Sequence, residues 1–310
     1  MDLAAIEQGV DPRATLAALG YADTSEPVRI MGGWETLIWR FQTPDGRDHS
    51  LRVYFVPGSH AMARRENIAL RTCEEAGQPA PRIEKFGEHE GMPAAVLTWC
   101  PGLPILTAVE QKPWAIRRLS RLFGRAHARL HTVAPPAELR AEAPDEWLGR
   151  VPQYYQHLAE RMKSIDIATG TLIHLDYHPL NVVGRGNEVT GILDWAGAAA
   201  GDRRADLART HFTLATAPIP PGPLKPFFVL MRGIMIRSWR AGYKDVAGPL
   251  PDYRQFMAWA GATLVFETER VLGREAVWGT EEDLERFKKL VEEWERFAPK
   301  AVTAEAAAAE

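Results

Sequence analysis

Cysteine is almost missing from this chain. Cys73 and Cys100 are the only two in 310 residues, too few for a disulfide scaffold or a cysteine-built zinc site. No stretch approaches the roughly 18 uninterrupted apolar residues of a membrane span. Neither sign of charge dominates: the formal net charge is -3 and no long basic run occurs, so the electrostatic footprint of a nucleic-acid binder is missing. The opening segment Met1-Asp-Leu-Ala-Ala-Ile-Glu7 is acidic and lacks the positive region of a secretory signal. No internal repeat is visible. These absences predict a cytoplasmic protein with reduced thiols and with neither nucleic acid nor membrane as a partner. They leave its oligomeric state open.

What is present is enough apolar residue for a large core. At 46% hydrophobic and 25% charged, the chain suits one large or two modest domains. Asp11 followed by Pro12 reads as the cap and first position of a short helix reaching Leu19. From Val28 the pattern turns to strands: Val28 to Met31, Leu37 to Phe41, then His49 to Phe55 after the Pro44-Asp-Gly46 turn. A helix over Ala61 to Glu75 follows, then strands over Ile83 to Phe86 and Ala94 to Trp99. Cys100-Pro-Gly102 ends the strands. Beyond it helices are expected over Pro113 to His131, Pro144 to Ser164, Arg203 to Ala215, Pro223 to Gly242, Pro251 to Leu272 and Glu281 to Phe297. Pro218 to Pro226 reads as a turn between helices, and Ala304 to Glu310 as a frayed tail.

One polar loop interrupts the helical half. It lies in Leu172-Ile-His-Leu-Asp-Tyr-His-Pro-Leu-Asn-Val-Val183, between strand-like stretches at Thr171 to Ile173 and Val189 to Leu193. Asp176 stands five residues before Asn181, and Asp194, in Gly191-Ile-Leu-Asp-Trp195, thirteen residues after it. A loop anchored in this way can hold one carboxylate near an incoming hydroxyl. It can also offer an amide oxygen and a second carboxylate to a hard cation such as magnesium, which shares oxygen ligands with substrate phosphates. That spacing of Asp, Asn and a later Asp is the pattern of phosphoryl-transfer loops. Each residue has a plainer reading: Asp176 or Asp194 as a cap, Asn181 as a turn residue. His174 and His178 are expected to hold the loop through backbone hydrogen bonds instead of binding metal.

His174-Leu-Asp-Tyr-His-Pro-Leu-Asn181 resembles the His-Gly-Asp-x-His-x-x-Asn signature of the aminoglycoside phosphotransferase and choline kinase family. Ile192-Leu-Asp-Trp195, with Gly201-Asp202 and Asp206-Leu-Ala208 after it, resembles that family's metal-binding segment. The likeness extends, more weakly, from about Val28 to at least Thr210. It implies an α+β, bilobal, protein-kinase-like fold. Residues 1–100 would form a nucleotide-binding lobe with a five-stranded antiparallel sheet and a helix, and residues 101–310 a mostly helical lobe with the catalytic loop and acceptor site. It also implies transfer of the γ-phosphate of ATP or GTP to a small-molecule hydroxyl. Asp176 would be catalytic, with Asn181 and Asp194 as Mg2+ ligands. Leu175 and Leu180 depart from the pattern, standing where many members carry glycine.

The nucleotide would be met by three groups of residues. Gly32-Gly33, in Gly32-Gly-Trp-Glu-Thr36, is a candidate phosphate-covering turn, because glycine lets backbone amides approach anionic oxygens. Its surroundings lack the Gly-Lys-Ser/Thr ending of a Walker loop. Arg52 occupies the third-strand position where kinases carry lysine, and would pair with Glu66; the plain alternative is a surface ion pair. Leu97, Trp99 and Cys100 belong to the segment expected to offer backbone hydrogen bonds to a purine. Asp202 and Asp206 are expected to cap a helix and support the loop.

The acceptor should sit between the loop and the late helices. Most of Trp239, Tyr243, Tyr253, Trp259, Phe266 and Trp278 are expected to be core. Glu267, Glu269 and Arg270 read as a wet helix face, or else as part of an acceptor site. The first hundred residues carry 10 basic and 14 acidic side chains, leaving 27 basic and 26 acidic for the remainder. A near-neutral helical half makes a neutral or singly charged acceptor at least as plausible as a polycationic one. Choline, homoserine, a sugar, a macrolide and an aminoglycoside stay open, and so does a nucleotide-binding pseudokinase.

Overall fold

The structure is a computed structural model that describes residues 9–30, 35–141, 144–219, 221–272 and 280–300. Gly32, Gly33, Trp278 and the tail from Ala304 lie outside the described residues. The chain groups into two compact units. One is Met1–Leu103 with Val183–Ala198, the other Pro104–Val182 with Ala199–Glu310. The segment carrying Asp194 therefore groups with the N-terminal residues.

In the first unit, helix α1 (Pro12–Ala18) starts where Asp11 accepts hydrogen bonds from the amides of Arg13 and Ala14, two of the donors a helix start leaves unsatisfied. Five strands follow: β1 (Val28–Ile30), β2 (Thr36–Gln42), β3 (Asp48–Tyr54), β4 (Ile83–His89) and β5 (Met92–Thr98). They form an antiparallel sheet in the order β1-β2-β3-β5-β4, with β3 at its centre. Alternation along the strands separates two faces. Leu37, Trp39, Phe41, Leu51, Val53, Ala94 and Val96 pack with Leu16 and Leu19 of α1. Between them in sequence, Arg52 and Tyr54 point away from that core and reach Glu66 of α2 (Ser59–Glu75). Helix α2 buries Ala63, Glu66, Leu70 and Cys73, the three-and-four spacing of one helical face.

The second unit is mostly helical. Helices α3 (Ile105–Gln111), α4 (Ile116–Leu130) and α5 (Gln156–Met162) precede β6 (Thr171–Ile173). Strands β7 (Val182–Arg185) and β8 (Glu188–Ile192), joined by the turn Gly186-Asn187, lie almost wholly in the segment that groups with the first unit, and the second unit resumes at β9 (Ala199–Gly201), which pairs antiparallel with β6. Helices α6 (Arg203–Thr216), α7 (Lys225–Ala247), α8 (Met257–Val271) and α9 (Glu281–Glu295) complete the described chain. Helices α4 and α7 touch backbone to backbone. A Cβ on Gly124 would lie 2.0 Å from the Trp239 carbonyl oxygen, and one on Gly242 2.1 Å from that of Arg121. Only glycine permits this approach.

The continuous helix expected over Pro144 to Ser164 is not formed. A single turn at Asp145–Leu148 ends at Gly149, and Pro152 precedes a 3-10 turn at Gln153–Tyr155 before α5 begins. Proline at 152 supplies no amide for a continued helix, and its ring clashes with the preceding turn. The helix expected from Pro251 begins as a 3-10 turn at Arg254–Phe256 and turns α-helical only at Met257. Strands β7 and β9 and helix α3 are additions to the sequence-based expectation. Trp239, Tyr243, Tyr253 and Trp259 are buried, as expected of core aromatics. Among the described residues, no helix is long and apolar enough to cross a membrane.

Candidate active site

In the first unit, the structure brings Arg52, Glu66 and Asp194 together. Arg52 Nη1 lies 2.5 Å from Glu66 Oε1 and 3.5 Å from Asp194 Oδ1. Glu66 is fully buried and accepts two more hydrogen bonds, from the Tyr54 hydroxyl at 2.7 Å and the Trp195 amide at 3.3 Å. Burial opposes the charge on Arg52, but Glu66 and Asp194 outweigh it and hold the guanidinium above its ordinary pKa. Burial and Glu66 push the Tyr54 phenol well up, so it stays a donor. Asp194 remains partly exposed and takes a positive φ of 64°, uncommon for a residue with a side chain.

Leu97 and Thr98 end β5, and Trp99 and Cys100 follow it. The Trp99 amide donates to the Asp48 carbonyl, and the Trp99 ring lies under the Arg40 guanidinium at 4.8 Å. Cys100 packs where Gly191 has no side chain: a Cβ there would lie 2.4 Å from its sulfur. Both cysteines are free thiols, each pushed up to about 12 by burial, so neither is a reactive thiolate. Arg64 is exposed, and Arg65 is half-buried and donates to the Ala196 carbonyl.

In the second unit, the loop after β6 folds on its own side chains. Asn181 donates to the Asp176 carbonyl at 3.1 Å and to its Oδ2 at 3.0 Å. His174 Nδ1 accepts the Asp176 amide, and His178 Nδ1 accepts the Leu180 amide, both at 3.3 Å. Both histidines thus shape the loop. His178 Nε2 faces Asp176 Oδ2 at 3.5 Å. Burial alone would raise the Asp176 carboxyl, but His178, Arg209 and His174 bring it down to about 2. Because Asn181 turns its NH2 to Asp176, its carbonyl oxygen is the end left to face a cation.

The loop is held from beneath by Asp206 of α6, the loop support expected of it. Its carboxylate accepts four hydrogen bonds: from the amides of His174 (2.9 Å) and Leu175 (2.7 Å), and from His127 Nε2 (3.2 Å) and His131 Nε2 (3.1 Å) of α4 and its end. These donors hold it well below the carboxylate range although burial pulls the other way. Trp239 Nε1 donates to His127 Nδ1 at 3.3 Å. An indole only donates, so Nδ1 is the accepting nitrogen and Nε2 carries the proton towards Asp206. Burial and neighbouring His131 push His127 down to about 4, keeping it neutral. By residue type this trio resembles a metal site, but hydrogen bonding accounts for its donors. Asp202 caps α6 through the Arg204 amide, as expected.

Glu267, its side chain still partly exposed, is more than a wet helix face. It forms a two-pronged pair with the buried Arg209, both carboxylate oxygens 2.7 Å from Nη2. Glu269 accepts from the Tyr154 hydroxyl at 2.6 Å. Arg209, His127 and His131 escaped the sequence reading because their partners lie far away along the chain.

The profile of a phosphotransferase enzyme family matches residues 27–259. A comparison with curated proteins returns no match. Several solved structures share the fold at low identity. The amicoumacin kinase hAmiN, in complex with AMP-PNP, Ca2+ and Ami, is 14% identical with a TM-score of 0.63, over 97% of this chain and 98% of that one. A thermostable mutant of the aminoglycoside phosphotransferase APH(4)-Ia, with AMP-PNP and hygromycin B, is 13% identical with a TM-score of 0.62, over 93% and 99%. A putative fructosamine-3-kinase from Thermobifida fusca is 17% identical with a TM-score of 0.57, over 93% and 99%. The expected kinase-like α+β fold, with its five-stranded antiparallel sheet, is thus found.

Proposed function

Since the chain belongs to the phosphotransferase enzyme family, we propose that it moves the γ-phosphate of ATP, with GTP as the alternative donor, to a small-molecule hydroxyl held near Asp176. The observation that carries this reading is the Asp176–Asn181 pair in a loop whose backbone is fixed by Asp206. Asp176 is the catalytic carboxylate. Held at about 2, it is a weak base, so its main part is to orient the hydroxyl by accepting its proton in a hydrogen bond. A loose phosphoryl-transfer transition state asks for little more, because charge stabilisation and positioning dominate.

Asn181 and Asp194 would each offer an oxygen ligand to a hard divalent cation, Mg2+ for preference, and Asp194 is partly exposed. Such an ion would neutralise developing charge on the triphosphate. Arg52, braced by Glu66, would contact nucleotide phosphates. Leu97, Trp99 and Cys100 would line the base, and Gly32 and Gly33 would cover the phosphates. Amicoumacin and aminoglycoside kinases share the fold, which supports a nucleotide and a small hydroxyl compound as partners. Free thiols and the lack of a membrane-crossing helix among the described residues agree with a cytoplasmic setting.

The acceptor is proposed to be neutral or singly charged. Glu267, close enough to Asp176 for each to feel the other's charge, is already neutralised by Arg209, and Glu146 is bound by Arg150 at 2.7 Å. Purified chain with ATP and Mg2+ should release ADP and a phosphorylated product with one member of a panel of choline, homoserine, sugars, macrolides and aminoglycosides. Asp176→Ala should abolish most of that turnover. Tight nucleotide binding without transfer to any acceptor would make the chain a nucleotide-binding module instead.

A further inference from the structure

Leu175, the residue before Asp176, has a backbone φ of 63°, a left-handed conformation that glycine adopts freely and side-chain-bearing residues resist. Its side chain is buried, 5% exposed, so the conformation is not that of a loose surface turn. Both of its backbone polar groups are gripped by one helix. Its N–H donates to Asp206 Oδ1 at 2.7 Å, and its carbonyl accepts from Arg209 Nε at 2.9 Å. Asp206 and Arg209 stand three apart on α6, on one face. Arg209 is itself 2% exposed and anchored on its far side by Glu267 Oε1 and Oε2 and by the Ala260 carbonyl at 3.4 Å.

We infer that Arg209 is a positioning residue for the phosphoryl transfer: by holding the Leu175 carbonyl, it locks a left-handed leucine and so aims Asp176. The inference rests on the assignment of Asp176 as the catalytic carboxylate. Asp206 grips the amide of Leu175, and the N–H of the following peptide reaches His174 Nδ1 only at a longer 3.3 Å. Arg209 closes the second end, on the carbonyl of the peptide that joins Leu175 to Asp176. Its guanidinium suits this because Nε serves the carbonyl while the terminal nitrogens stay on Glu267 and Ala260, a division a single ammonium cannot make. Glycine at position 175 would adopt the same φ without being held. The arginine and the leucine are therefore coupled.

The test is a cycle of four full-length proteins: unmodified, Arg209→Ala, Leu175→Gly and the double variant. Hydrogen exchange of the Leu175 and Asp176 amides needs no acceptor, so it decides the inference even if no phosphate acceptor is found. Arg209→Ala should raise that exchange strongly in the leucine background and only slightly beside Leu175→Gly. With an active acceptor, Arg209→Ala should lower kcat about 100-fold, the scale of a 1 Å misplacement, with the nucleotide KM little changed. Beside Leu175→Gly the loss should shrink to about tenfold or less. Equal losses in both backgrounds, in exchange and in kcat, would overturn the inference and leave Arg209 a plain packing residue. If Arg209→Ala fails to fold, Arg209→Lys takes its place in the cycle. It keeps the charge but not the fork, and the same coupling with Leu175→Gly is expected.

Discussion

Asn181 donates its side-chain amide to both the backbone carbonyl and the carboxylate of Asp176, at 3.1 and 3.0 Å. One residue thereby fixes the catalytic candidate's backbone and rotamer together. Its own side-chain carbonyl oxygen takes no part in either bond. The two roles can be separated. Asp176→Asn keeps the size and removes the charge, so kcat should fall by about 10³ while calorimetry finds nucleotide affinity nearly unchanged. An active Asp176→Asn variant would remove the carboxylate from the mechanism.

Asn181→Ala should act differently, by moving the metal dependence of turnover. Losing one oxygen ligand should raise the Mg2+ concentration for half-maximal rate by about tenfold, the low end of losses seen when metal sites are disturbed. An unchanged metal curve with a reduced maximal rate would show that Asn181 serves Asp176 alone.

Buried His127 gives a pH dependence of stability with a definite sign. Its pKa falls from 6.5 to about 4 in the folded chain, so between those values the unfolded chain binds the proton and the folded chain does not. The contribution is complete above pH 6.5 and declines as pH falls towards 4, amounting to roughly 3 kcal/mol at most. Urea unfolding at steps from pH 7.5 to 4.5 should show the decline. His127→Gln should flatten that part of the profile, and equal slopes for the two proteins would refute the assignment.

The sequence made parts of this molecule legible for physical reasons that also set the limit. Asp11 and Pro12 act locally, so the cap of α1 is readable from neighbours alone. Leu37, Trp39 and Phe41 alternate, and alternation betrays a half-buried strand. Asp176 and Asn181 stand together because their contact spans five residues of one loop. Asp206 is readable only in part: its support of the loop is expected, but its histidine partners lie 75 and 79 residues away, and nothing local points to them. Glu267 reads as solvated because Arg209, its partner, is 58 residues off. Leu175 is visible as a leucine in a glycine position, but its strain appears only with its φ. Pro152 breaks the helix expected over Pro144 to Ser164 because it has no amide to donate to the preceding turn.

The crossing of α4 and α7 should be intolerant of any side chain. Gly124→Ala would force a Cβ to 2.0 Å from the Trp239 carbonyl oxygen, and backbone cannot move aside as a flexible side chain can. The helices would have to separate, withdrawing Trp239 from His127. A loss of at least about 2 kcal/mol is expected from overpacking of this kind, read from the midpoint of urea unfolding. A variant as stable as the unmodified chain would mean that the helices cross at a greater distance.

Arg52 tests whether the fork of an arginine matters where kinases carry lysine. Its Nη1 lies against Glu66 and within 3.5 Å of Asp194, and Glu66 is braced by Tyr54 and Trp195. Arg52→Ala would leave the buried Glu66 charge without its cation, at a cost of about 3–5 kcal/mol in stability. Arg52→Lys is the sharper experiment. The lysine keeps the charge, so the fold should survive with a melting temperature close to that of the unmodified chain. A compact ammonium cannot hold Glu66 and reach further oxygens with the same planar geometry. Nucleotide affinity should therefore fall by about tenfold, equivalent to 1.4 kcal/mol. If the lysine variant binds nucleotide as tightly as the arginine, position 52 supplies charge alone and its planar geometry plays no part.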